Sequence, residues 1–81
     1  MRHTHEIEWP NGKGYTLCTP EYADAIADEC DLMARLCDME REIEAGRSPQ
    51  GYADLYEQAH RAADRVLLLQ AAGHLGQGRR Y

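Results

Sequence analysis

The imidazoles and thiols in this sequence, which could hold a metal ion or attack an electrophile, are few: His3, His5, His60 and His74, with Cys18, Cys30 and Cys37. His3 and His5 stand two apart, a spacing that on a strand projects both from one face. Cys18 is the obvious third ligand. However, a hairpin register that sets Cys18 opposite Thr4 turns the thiol to the other face, so the three do not converge. His60 and His74 have no ligand spacing to each other, and the chain contains no CxxC, HxxxH or HExxH. No metal ion or other cofactor is expected. Catalysis has no better footing. A nucleophile needs a positioned base within hydrogen-bond reach, and no pair in the sequence is marked as one. Gly12 and Gly14 belong to a hairpin turn, not to a phosphate loop between a strand and a helix. The expectation is a protein without enzymatic activity.

One pattern does carry physical content. Asp24, Asp28, Asp31, Asp38 and Glu42, with Arg35 among them, recur every three or four residues. On a helix that spacing lines up carboxylates about 5–6 Å apart along the axis, close to the interval between phosphates on a nucleic-acid strand. Such a stripe can dock on an Arg/Lys-rich surface, with association sped by long-range attraction. Arg35 can pair with Asp31 or Asp38 and dilutes the stripe. The plain alternative is a solvated face that keeps the protein soluble.

These residues need a rigid support, and the segment from Thr19 to Gly46 supplies it. Thr19 can cap the first free amides, Pro20 suits the first helical position, and Gly46 can close the last turn in the left-handed conformation. A helix over 20–45 would run roughly 39 Å. Its apolar side is Tyr22, Ile26, Cys30, Met33, Leu36, Cys37, Met39 and Ile43, with Ala25 and Leu32 at the margin. Something must cover that side. Residues 3–19 read as a β-hairpin with a type I turn at Pro10-Asn11 and Gly12 left-handed. This register pairs Trp9 with Lys13, Ile7 with Tyr15 and His5 with Leu17. It presents His5, Ile7, Trp9, Tyr15 and Leu17 to the helix. A second helix is expected over 49–72, opened by Ser48-Pro49 and stopped at Gly73, antiparallel to the first. The Gly-rich tail, residues 74–81, is expected to be mobile. The predicted class is α+β, one small domain over residues 1–81: an N-terminal hairpin packed on an antiparallel two-helix hairpin, helix-dominated.

Composition sets the outer limits. The chain has 81 residues, 43% hydrophobic and 28% charged, with a net charge of −5 and no Phe. Residues 1–46 hold four basic against eleven acidic side chains, and residues 47–81 five against three. Direct binding to nucleic acid is disfavoured on the acidic part. No apolar run is long enough to span a bilayer and the N-terminus lacks a signal-peptide core, so a cytoplasmic setting without membrane association is expected. Cys30 and Cys37 stand about 10.5 Å apart along a helix, beyond the roughly 7 Å reach of a disulfide. Buried, reduced thiols are the expectation.

In size, acidity and hairpin-plus-helices design the chain resembles the small inhibitors that phages encode against bacterial defence complexes, such as anti-CRISPR proteins. The likeness is one of overall design and involves no shared motif. It implies a protein partner with a basic surface, met in the host cytoplasm if the chain is phage-encoded. The functional reading is a protein-binding, inhibitory module that uses Asp24, Asp28, Asp31, Arg35, Asp38 and Glu42 to occupy a basic nucleic-acid-binding surface. The alternative is an assembly subunit that forms a homodimer or larger homo-oligomer through apolar helix faces, with Leu68 and Ala72 at the interface.

Overall fold

The computed structural model describes residues 1–81. In chain order the elements are β1 (His5–Glu8), β2 (Gly14–Cys18), α1 (Pro20–Glu44), α2 (Tyr52–Ala71) and β3 (Leu75–Arg80). The strands form one antiparallel sheet in the order β1-β2-β3. The class is α+β, as expected, with a third strand that the sequence reading did not include.

The turn forms as its residues dictate, with the register one residue away from the expected one. Gly12 N–H donates to the Trp9 carbonyl, closing the turn over Pro10-Asn11, and Gly12 takes a φ of 70°. Lys13 then gives its N–H to the Asn11 side chain at 3.0 Å and stays in the loop, so Trp9 pairs with Gly14. Every later pair moves accordingly: Ile7 faces Thr16 and His5 faces Cys18. Because alternate side chains on a strand point to opposite faces, the slip exchanges the two sets on β2. Cys18, and not Leu17, meets the helices. Tyr15 and Leu17 share the outer face with Glu6 and Glu8.

Residues 75–80 are also a correction, since the expected mobile tail is strand β3. Its glycines permit close packing. A Cβ at Gly78 would lie 2.9 Å from the Trp9 ring, and one at Gly76 would lie 2.8 Å from the Leu17 carbonyl. Trp9 spreads over Gly14 and Gly78 and donates its indole N–H to Thr16 Oγ1 at 2.8 Å. Tyr81 closes the strand by stacking on Tyr15, with ring centres 5.6 Å apart.

Helix α1 starts and stops where its signals sit. Thr19 accepts the Tyr22 N–H on its hydroxyl, Pro20 opens the first turn, and Gly46 follows the last turn with a φ of 85°. Helix α2 starts three residues later than expected, at Tyr52. Ser48 does not cap it, because Gly51 adopts a φ of 82° and breaks any helix that would begin at Pro49. The helices run antiparallel, as the pairs Tyr22–Gln70, Asp28–Arg65 and Glu40–Tyr52 show.

Two small clusters hold these elements together. Cys18, Tyr22, Ala25 and Val66, flanked by Ile7, Ile26 and Leu69, join the sheet to the near ends of both helices. Leu36, Leu55 and Ala59, flanked by Leu32, Met39 and Tyr52, join the helices at the far end. The broad apolar side expected to be covered on α1 is only half covered: Cys30, Met33, Cys37 and Ile43 are exposed. The sheet reaches only one end of the helical hairpin, so the other end has no third layer.

Thr19 joins the layers. It is buried and its side chain is also bonded to His74 Nδ1 at 2.7 Å, while its N–H donates to the His74 carbonyl at 3.0 Å. Thr19→Ala should therefore cost about 0.5–2 kcal/mol, the range of a lost helix cap. It should also loosen β3. Urea unfolding checks the first expectation and hydrogen exchange at residues 75–80 the second.

Candidate functional site

The acidic stripe lies where its spacing places it. Asp24, Asp28, Asp31, Arg35 and Asp38 are exposed along one side of α1, and Glu42 is half-buried at its far end. Three of the carboxylates have arginine neighbours. Arg65 of α2 reaches Asp28 at 3.5 Å, Arg35 reaches Asp31 at 3.1 Å, and Arg41 reaches Asp38 at 3.7 Å. The Asp28–Arg65 pair was not legible in the sequence, because it depends on how α2 docks. Asp28, Asp31 and Arg65 also border a shallow cleft of about 200 Å³ floored by Ala25, Leu32 and Ala62. The stripe is therefore a mixed surface with an acidic excess and a small apolar floor.

Leu68 is 71% exposed, and Ala72, also exposed, caps the end of α2. With Arg61 and Arg65 they recur at helical spacing, which puts them on the stripe's side of the hairpin. The other side carries Met33, Tyr56, His60 and Ala63 around a groove of about 290 Å³ floored by Leu36 and Ala59.

The chemistry-bearing residues are dispersed. His3 donates from Nε2 to the Gly73 carbonyl at 2.8 Å, which ties the N-terminal segment to the end of α2. His60 stacks on Tyr56 with ring centres 4.4 Å apart. His5 and Cys18 stand opposite each other and share a face, so the register that was to separate them is overturned. Even so, no three His, Cys, Asp or Glu side chains come together as ligands. Of the cysteines only Cys18 is buried, which corrects the expectation for Cys30 and Cys37; all three are free thiols. Burial pushes the Cys18 thiol up, away from the reactive thiolate.

A cluster that no sequence spacing announced forms at the start of α1. The Thr19 hydroxyl, the His74 imidazole and the Glu21 carboxylate, 4.0 Å from that ring, bring together the side-chain types of a nucleophilic relay. Their geometry differs from a relay. Thr19 and Glu21 both face Nδ1 of His74, whereas a relay sets hydroxyl and carboxylate on opposite ring nitrogens. The Thr19 oxygen is also buried and already holds the Tyr22 N–H at 3.2 Å. The cluster is a clasp between β2, α1 and β3. Its parts are 55 residues apart in sequence, so only the folded chain reveals it.

No family model matches the sequence, and no match was found among characterised proteins or solved structures. No helix of the fold is long and apolar enough to cross a membrane.

The clasp has a pH signature. A hydrogen bond from its own backbone N–H holds the Glu21 carboxyl below the usual carboxylate range, and Thr19, His74 and His5 act in the same direction. A depressed folded-state pKa contributes stability above the unfolded value, and that stability is lost as pH falls through the folded one. Glu21→Gln should therefore be less stable than the wild type near neutrality. The two should converge as pH drops below the carboxylate range, as read by thermal melts across pH.

Proposed function

We propose that this chain is a non-enzymatic protein-binding module that docks the acidic face of α1 on a basic surface of its partner. The observation that carries the reading is a single unbroken helix of 25 residues with its carboxylates aligned along one exposed side. A rigid rod presents its charges without the entropy cost of ordering a loop. The arginines beside Asp28, Asp31 and Asp38 do not disable the face. Each pair is more than half exposed, and exposed ion pairs contribute only about 0–1 kcal/mol. They are easily exchanged for the partner's arginines and lysines. The carboxylate interval suits a groove that accepts a nucleic-acid backbone, so the partner class proposed is a nucleic-acid-binding protein whose groove is blocked. The resemblance to phage-encoded inhibitors, anti-CRISPR proteins among them, supports an encounter in the cytoplasm, the host's if the chain is phage-encoded.

The test is to reverse Asp24, Asp28, Asp31 and Asp38 to lysine together and compare capture of lysate proteins with the wild type. Proteins with basic surfaces should be retained by the wild type, released by added salt and lost with the variant, while circular dichroism reports unchanged helicity. Undiminished capture by the charge-reversed variant would remove the reading.

A further inference from the structure

The side of the helical hairpin opposite the acid stripe has an uncovered apolar centre, with Glu40 and His60 beside it. Cys30, Met33 and Cys37 line up along α1, and Tyr56, Ala63 and Leu67 along α2, each set at helical spacing. Met33, Tyr56 and Leu67 are 44%, 46% and 61% exposed. The groove of about 290 Å³ runs between the two lines. The chain's own sheet does not reach it.

The surface area indicates how much is missing. A self-sufficient monomer of 9.2 kDa should expose about 4,900 Å². This chain exposes 6001 Å². Its radius of gyration is 15.4 Å, against about 11.7 Å for a compact domain of this length. The excess, roughly 1,100 Å², is enough for one side of a stable dimer, since a standard interface takes about 800 Å² from each partner. Only 9 of 81 residues are buried, seven of them in two separate clusters, so the fold has every reason to recruit a further layer.

We propose that a second copy of this chain supplies that layer, hairpin on hairpin, in a twofold four-helix dimer. A twofold contact sets the same patch against itself, and this patch suits itself. Its centre is apolar, and the groove's Glu40 and His60 form an acceptor and donor that the twofold can bring together. The net charge of −5 makes most other self-contacts repulsive. This one turns both acid stripes outward, away from each other. The Leu68 and Ala72 side would set stripe against stripe and is not the contact. The dimer stands independently of the proposed docking face: the stripes stay exposed, and the charge-reversed variant should still pair.

Sedimentation equilibrium of the full chain across micromolar concentrations is the direct experiment. The mass should rise from 9.2 kDa to twice that value. Met33→Glu and Leu67→Glu, each at an exposed position, should raise the dissociation constant at least about tenfold with helicity unchanged. Leu68→Glu should leave it unchanged. Alkylation of the wild type gives a second readout that needs no variant, because Cys30 and Cys37 should react more slowly as the dimer forms. A strict monomer, a dimer insensitive to both glutamates, a dimer broken by Leu68→Glu, or thiols equally reactive at all concentrations would each overturn the proposal.

Discussion

Thr19 sits where three demands meet. It ends the central strand, caps the long helix and receives the chain on its return from the second helix. Its hydroxyl accepts the Tyr22 N–H and bonds His74, and its N–H donates to the His74 carbonyl. Gln70 donates to the Tyr22 hydroxyl at 2.8 Å, one turn away, and His3 donates to the Gly73 carbonyl. Together these bonds join the start of α1 to the end of α2, and that closure lets β3 lie beside β2. Buried polar groups in such a network are costly to leave unpaired, so the junction is specific as well as stabilising.

Away from the junction the fold thins out. The cluster around Cys18, Tyr22, Ala25 and Val66 has sheet above and helices below, whereas the cluster around Leu36, Leu55 and Ala59 has only two helices. Principal extents of 45 × 26 × 15 Å describe a hairpin of helices held at one end, a flat body with two large faces. On such a body burial cannot come from depth. Each face must be solvated by charge or covered by another chain.

The two faces answer in these two ways. Acids and arginines solvate one side through weak, exposed ion pairs. The other side presents methionine, tyrosine, leucine and two thiols. Both properties follow from one feature of α1, whose sequence period places acid and apolar residues on opposite sides. The two proposed contacts, a partner met through charge and a second copy met through apolar area, therefore use different sides and do not compete.

Local features were legible from the order of the residues alone. Thr19-Pro20 and Gly46 mark the ends of α1, Pro10-Asn11-Gly12 makes the turn, and the three-and-four spacing aligns the acid stripe. Each is set by neighbours within one or two turns, which short-range sterics and hydrogen bonding decide. The folded chain settled the rest: local choices that the residue types left open, and contacts between residues far apart. Asn11 capturing the Lys13 N–H slipped the register and brought Cys18 inward. Gly76 and Gly78, which read as flexibility, are the bare surfaces on which Leu17 and Trp9 close. Gly51 overrode the Ser48-Pro49 start of α2. The Thr19–His74 clasp and the Asp28–Arg65 pair exist only because α2 returns antiparallel to α1. Whether Met33 and Cys37 were core or surface was likewise outside the reach of periodicity, which shows which side of a helix is apolar and not how far the rest of the chain extends to cover it.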